Sequence, residues 1–295
     1  MNNAVPSGVG VALITPFNKD LSVDFTGLER LLELCIKGGV DYFVVNGTTA
    51  ENPTLTKEER YGILDFVLKK NAGRLPVVFG IGGNNTTAVA EEMASFNVDG
   101  VSALLSASPY YNKPTQEGIY QHYKALSEAS KLPIILYNVP GRTSSNISAE
   151  TTLRLAADFE NIVAIKEASG NLDQITELVL GRPEGFKIIS GDDNLTFAML
   201  GLGCDGVISV SGQGVPEVFC KVYDEAALGN WTASKEAHLS LFNLTNLLFA
   251  EGNPAGIKAT LQLRGICGDT VRLPLVAASD SLKASLKEEL NLLKL

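Results

Sequence analysis

Histidine is nearly absent from this chain: two occur among 295 residues, beside four cysteines and a single tryptophan. The scarcity removes whole classes of chemistry. A histidine-ligated zinc site needs convergent imidazoles, and His122 and His238 lie on separate helix-like stretches. A Ser-His-Asp hydrolase is equally poorly provided for. Cys35, Cys204, Cys220 and Cys267 are scattered and form no CxxC, so they read as buried free thiols of a reducing cytosol. Basic charge is short as well. Lys and Arg number 24 against 33 Asp and Glu, a formal net charge of −9, which argues against a duplex-binding surface. No run of about 18 apolar residues is present to span a membrane. The first residues lack the basic region of a signal peptide, and Pro6 and Pro16 bracket an apolar run too short for export. The expectation is a cytoplasmic protein with neither nucleic acid nor membrane as partner.

Apolar mass is what the chain has, at 45% hydrophobic against 19% charged residues, enough for a large core. Short apolar runs at 9–14, 42–45, 77–79, 101–105, 134–137, 163–165, 187–189 and 207–210 read as buried parallel strands. Amphipathic stretches at 25–37, 57–70, 88–96, 116–129 and 149–157 read as helices between them. Thr56 and Glu59 have the spacing of a capping box, and Gly38, Gly39 and Gly73 suit left-handed helix ends. Eight such alternations predict an α/β fold, a (β/α)8 TIM barrel, over residues 1–225. Helix-like stretches at 216–228, 233–248, 254–263 and 281–293 predict a C-terminal helical region, drawn over 226–295. Gly80, Gly82 and Gly83 follow the third strand and miss the last glycine of a dinucleotide fingerprint, so an open nucleotide-binding sheet is disfavoured.

Barrels of this kind carry their chemistry at the carboxyl ends of the strands. The second strand ends in Asn46-Gly47-Thr48-Thr49-Ala50-Glu51, the fourth runs into Tyr110-Tyr111, the fifth into Tyr137-Asn138-Val139-Pro140-Gly141-Arg142, the sixth ends in Lys166-Glu167, and the seventh in Ser190-Gly191-Asp192-Asp193. Lys166 is decisive. A lysine ending an apolar strand enters the barrel mouth, where loss of water disfavours the ammonium and a neutral amine can condense with a ketone. The bland alternative is a lysine paired with Glu167 or reaching for solvent. Tyr137 would face Lys166 from the adjacent strand as a proton carrier, or else be an ordinary core tyrosine. Arg142 offers a planar fork to a carboxylate, or a surface ion pair. Gly47-Thr48-Thr49 offers N–H groups and hydroxyls to a small anion, or merely caps a helix. Asp192-Asp193 lacks a third metal ligand nearby and reads as a helix cap. A pyridoxal phosphate lysine lacks a convincing phosphate cradle.

Gly47-Thr48-Thr49, Tyr110-Tyr111, Tyr137 to Thr143, Ile165-Lys166-Glu167-Ala168, Ser190 to Asp193 and Gly206 to Val210 occur in this order. Together they resemble the dihydrodipicolinate synthase family of pyruvate-dependent class I aldolases, from Val9 to about Val210. The Arg142 loop sets the chain apart from sialic-acid lyases of the same superfamily. The resemblance implies that Lys166 forms an imine with pyruvate. Thr48 and Thr49 would hold the pyruvate carboxylate, and Thr49, Tyr137 and Tyr111 would relay protons. Tyr111 would come from a neighbouring subunit, in a homotetramer built as a dimer of dimers. Arg142 would hold the carboxylate of aspartate semialdehyde, and Gly191 and Ile208 would present backbone groups to the intermediates. No metal or other cofactor is implied.

Two alternatives accompany this expectation. One is a related pyruvate aldolase or lyase acting on a 2-keto-3-deoxy sugar acid or N-acetylneuraminate. The other is a non-catalytic small-molecule sensor, disfavoured by the intact set Thr49, Tyr111, Tyr137 and Lys166. The chain also departs from the family pattern. Ala50 and Asn52 stand where the family often has glycine and serine. Where lysine-regulated members carry an acidic residue and histidines, the matching positions are Ala88 or Val89, Lys57 and Arg60. The resemblance therefore implies weak inhibition by lysine or none.

Overall fold

The computed structural model describes residues 7–295; Pro6 lies outside them. The apolar runs are strands: β1 (Gly8–Ala12), β2 (Tyr42–Val45), β3 (Val77–Gly80), β4 (Ala103–Ala107), β5 (Ile134–Asn138), β6 (Ile162–Glu167), β7 (Lys187–Ser190) and β8 (Gly206–Ser209). They follow one another in sequence order around a closed parallel barrel. Burial explains their composition. A strand covered on both faces needs apolar side chains at every position, and Val9, Val11, Phe43, Val44, Val78, Ile135, Ala164 and Ile188 are sealed from water. Each fully buried Val, Ile or Phe among them contributes about 1.5–3 kcal/mol.

The fourth strand starts two residues later than its apolar run. Gly100, at φ 77°, makes a turn in which Val101 N donates to Val98 O at 3.1 Å, so Val101 belongs to the turn. The stretch 233–248 forms two helices, Trp231–Ser240 and Phe242–Ala250, parted only at Leu241, whose backbone stays right-handed. Two helices unmarked in the alternation, Leu172–Gly181 and Thr196–Gly201, follow β6 and β7. The first is capped by the Asn171 side chain and buries Ile175 and Leu178. Thr56 and Glu59 form the reciprocal capping box at helix Lys57–Asn71, which ends with Ala72 in the left-handed region ahead of Gly73.

The chain divides into two compact units. One holds Gly8–Leu75 and Ser209–Leu295, the other Pro76–Ile208. In the first, helix Pro216–Ala227 packs on β1. The buried Gln213 side chain prolongs that strand, accepting from Ile14 N at 2.8 Å and donating to Ala12 O at 2.6 Å. In the second, Tyr123 of helix Gln116–Ala129 donates its buried hydroxyl to Ser106 O of β4 at 2.8 Å. All four cysteines are free and buried, and burial raises each thiol above its ordinary range. Among the described residues no helix is long and apolar enough to cross a membrane.

His122, beside Tyr123, is buried with Nδ1 2.8 Å from Thr86 Oγ1, and Nε2 has no partner among the described residues. Loss of water disfavours its charged form and pushes its pKa down to about 4. The unfolded chain binds this proton first. Stability should therefore be full above the ordinary value of 6.5 and fall by about 3 kcal/mol as pH drops to about 4. His122→Gln should lose that share of the acid sensitivity in denaturant titrations across this window. An unchanged acid slope in the variant would refute it.

Candidate active site

In the unit Pro76–Ile208, Lys166 stands at the fifth position of the six-residue β6, directly opposite Tyr137 of β5 and Ile189 of β7. Successive side chains of a strand point to opposite faces. The next rung, Asn138 and Glu167, faces the helices. Glu167 accepts from Asn138 Nδ2 at 2.9 Å, from Gln174 Nε2 at 3.0 Å and from Ser169 N at 2.6 Å. Gln174 belongs to helix Leu172–Gly181. Lys166 and Tyr137 therefore take the inner face together. The Lys166 Nζ lies 4.4 Å from the Tyr137 ring centroid, and both residues are buried. The pairing of Lys166 with Glu167 does not arise, because that carboxylate is engaged on the other side of the sheet.

Gly191, just after β7, makes room for this lysine. A Cβ there would sit 2.9 Å from Lys166 Cε, 3.1 Å from Lys166 Cγ and 2.8 Å from Ala168 Cβ. Its backbone N–H donates to Glu167 O at 2.8 Å, which holds the glycine against the strand. Asp192 caps the short turn Asp193–Leu195 through Asn194 N, as a helix-cap reading requires. Burial, reinforced by the neighbouring Asp193 carboxylate, raises the Asp192 carboxyl above its ordinary value.

The remaining rim residues of this unit are spread over β4, β5 and β8. Pro140 opens a single helical turn, Pro140–Thr143, which ends at Ser144 in the left-handed region and leaves Arg142 exposed. Tyr110 is pinned from both sides by Asn84, whose Nδ2 donates to Tyr110 O at 2.6 Å while its Oδ1 accepts from Tyr110 N at 3.0 Å. Tyr111 follows at φ 69° with 88% of its surface exposed. Ile208 is buried in β8.

In the other unit, the chain leaves β2 through Asn46 at φ 61°, makes the 3₁₀ turn Thr48–Ala50, and reverses at Glu51 at φ 57°. Asparagine tolerates that region; glutamate is strained in it by about 1–2 kcal/mol. Side-chain contacts offset the strain. Glu51 and Lys258 are both sealed from water and form an ion pair of 2.5 Å. Glu51 also accepts from Arg272 N at 2.9 Å, and Lys258 donates to Thr270 O at 2.8 Å. Burial pushes the Lys258 amine downward, and the Glu51 carboxylate opposes it. The Arg272 guanidinium joins Glu59 and lies 4.4 Å over the Phe17 ring. Asn52 Nδ2 closes the loop onto Asn46 O at 3.0 Å, and Thr15 Oγ1 donates to Ala50 O at 2.8 Å, so both departures from the family pattern have local hydrogen-bonding partners. The Thr49 hydroxyl accepts from Asn253 Nδ2 at 2.9 Å.

Asn253, Lys258 and Arg272 went unread in the sequence. Lys258 carried a signal: it lies in Ala255–Leu263, a helix whose residues from Ala255 to Leu261 are all buried, where an unpaired lysine cannot stand. Among the described residues no group of three or more His, Cys, Asp or Glu is placed to hold a metal ion.

The Dihydrodipicolinate synthetase family model matches residues 5–293. A 4-hydroxy-tetrahydrodipicolinate synthase of Parabacteroides distasonis is 50% identical over 269 residues, covering 91% of this chain and 91% of that protein. One from Phocaeicola vulgatus is 49% identical over 288 residues, covering 98% and 97%. The crystal structure of dihydrodipicolinate synthase from Aquifex aeolicus superposes with a TM-score of 0.94 at 40% identity, covering 98% of this chain and 99% of that one.

The position of Gly191 yields a prediction. Gly191→Ala should leave the barrel folded yet displace Lys166, lowering the rate of its reaction with a keto acid by about 100-fold, the usual effect of an ångström-scale misplacement. Borohydride trapping over time, with circular dichroism as the control, reads this; wild-type trapping would refute it.

Proposed function

The chain belongs to the dihydrodipicolinate synthetase family, and we propose that it condenses pyruvate with L-aspartate-4-semialdehyde to give 4-hydroxy-tetrahydrodipicolinate, in diaminopimelate and lysine biosynthesis. One observation carries the reading: a buried lysine set rung to rung against a buried tyrosine, with a glycine opening the space beside it. Lys166 Nζ attacks the pyruvate ketone, and the carbinolamine loses water to leave an imine. Tyr137 passes the protons of these steps, in a relay with Thr49 and Tyr111. Loss of a methyl proton gives an enamine, which bonds to the aldehyde carbon of the second substrate. That substrate's amine then adds to the imine carbon and expels Lys166 as the ring closes. Thr48 and Thr49 hold the pyruvate carboxylate, Arg142 the carboxylate of the semialdehyde, and Gly191 and Ile208 present backbone groups to the intermediates. The exposed fork of Arg142 suits an incoming carboxylate. No cofactor enters this scheme.

The exposure of Tyr111 supports a role completed by a second copy, and the assembly proposed is a homotetramer, a dimer of dimers. The four free thiols suit the reducing cytoplasm, where we place the enzyme.

Borohydride with pyruvate should add one reduced pyruvate unit to Lys166, seen by peptide mass mapping, and none to Lys166→Ala. Turnover should require aspartate semialdehyde. Consumption of 2-keto-3-deoxy sugar acids or N-acetylneuraminate instead would overturn the assignment. Lysine should inhibit weakly, since neither Ala88 nor Val89 offers a carboxylate to its ammonium group; strong inhibition at sub-millimolar lysine in steady-state assays would refute this.

A further inference from the structure

We propose that Asn138 is a positioning residue that holds the loop of Arg142 where its guanidinium meets the carboxylate of the second substrate, an inference resting on the role proposed for Arg142. Arg142 stands exposed in the loop between β5 and helix Ala149–Asp158. The Asn138 side chain, buried at the end of β5, reaches across the base of that loop. Its Oδ1 accepts from Ile147 N at 2.9 Å, which joins the two ends of the segment that carries Arg142. Its Nδ2 donates to Glu167 Oε2 at 2.9 Å and to Asn146 Oδ1 at 2.8 Å. The partners fix which way round the amide lies. A backbone N–H only donates, so the oxygen faces Ile147 and the nitrogen faces the carboxylate. Both ends of the side chain are engaged.

Glu167 makes this clamp more than a local turn. It follows Lys166 in β6, and it also receives Gln174 Nε2 at 3.0 Å. Gln174 in turn accepts from Asn146 Nδ2 at 2.8 Å and donates to Ile147 O at 3.2 Å. Two amides thus run from one carboxylate to the return end of the Arg142 loop, which ties that loop to the strand bearing the amine. Burial of Ile147 alone would not do this, because apolar contact has no direction, whereas hydrogen bonds fix distance and angle. Within the loop, Thr143 Oγ1 accepts from Ser145 N at 3.2 Å and donates to Ser145 O at 2.8 Å, closing the turn at Ser144. That turn shapes the loop; Asn138 places it. An aspartate here would accept from Ile147 but would set a second carboxylate against Glu167.

In the proposed reaction pyruvate is bonded as an imine before the semialdehyde enters, so kcat/KM for each substrate reads its own half of the sequence. Asn138→Ala should lower kcat/KM for aspartate semialdehyde by about 10-fold, the scale of losing one charge-assisted hydrogen bond of the guanidinium fork. Both kcat/KM for pyruvate and the rate of borohydride trapping at Lys166 should stay within about twofold of wild type, since neither involves Arg142. In an Arg142→Ala background the same substitution should cost nothing further, because residues that act through one another are not additive. No loss in Asn138→Ala, a loss shared equally by both substrates, or a full additional loss in the Arg142→Ala background would overturn the proposal; a shared loss would mark Asn138 as a general support of the barrel. Should Asn138→Ala fail to fold by circular dichroism, Asn146→Ala decides, since Asn146 is exposed and bonds to the same amide. A loss confined to the semialdehyde supports the proposal, and no loss, or one shared with pyruvate, overturns it. The underlying reading fails by other signs. Absence of borohydride labelling in the wild type sinks the assigned reaction, and an Arg142→Ala variant with unchanged kcat/KM for the semialdehyde sinks the role of Arg142 and this inference with it. A loss in Arg142→Ala without one in Asn138→Ala sinks only the role of Asn138.

Discussion

The carboxylate of Glu167 decides which way β5 and β6 present their side chains. It is sealed from water and receives hydrogen bonds from Asn138, Gln174 and Ser169 N, all on the helix side of the sheet. A strand that slips by one residue exchanges its two faces. Such a slip here would strip this carboxylate of its donors and bury it unpaired, at a cost of several kcal/mol. It would also turn Lys166 toward the helices. Structure and chemistry are thus coupled through one residue: the alternation that satisfies Glu167 delivers Lys166 and Tyr137 to the opposite face.

The other unit solves a similar problem by a different route. No strand ladder fixes the residues after β2, and Glu51 adopts a backbone conformation that glutamate disfavours. A buried ion pair is a poor source of net stability, because desolvation of both charges offsets their attraction. It is a strong source of geometry. Once both groups lie in the interior, any loop conformation that separates Glu51 from Lys258 leaves an uncompensated charge. The pair therefore selects one path for the chain through Thr48 and Thr49, and the Arg272 backbone N–H binds the second carboxylate oxygen of the same Glu51.

The fold was legible in the sequence because covered parallel strands must be apolar at every position, and eight such runs are hard to confuse with another architecture. Their ends were less legible. Val101 is as apolar as its neighbours, but the glycine turn before it takes it out of the ladder. Lys166 could be singled out because a lysine ending an apolar strand coincides with hydroxyls, phenols and an arginine at the ends of the neighbouring strands, where alone it would more often be structural. Asn253 and Arg272 could not, and the place of Lys258 in a buried helix was a signal that named no partner, since each acts on a residue some 200 positions earlier in the chain and no local period records such a pairing. Gly191 stood in a motif, yet the reason for a glycine there is the reach of the Lys166 side chain, which only the pairing of β6 with β7 brings alongside.

These constraints divide the rim into two kinds of residue. Lys166, Tyr137 and Thr49 are buried and held by rungs or hydrogen bonds, so little conformational freedom remains for a substrate to remove. Arg142 and Tyr111 stand exposed on short turns that Ser144 and Asn84 shape. Groups that form and break bonds must be placed to within a fraction of an ångström, since each misplacement raises the barrier directly. A group that captures a carboxylate arriving from water is better exposed, because a solvated guanidinium incurs no desolvation penalty until its partner replaces the water. With the roles proposed for them, the interior placement of the amine and the exterior placement of the arginine are two answers to the same question: when, along the reaction, each charge must leave water.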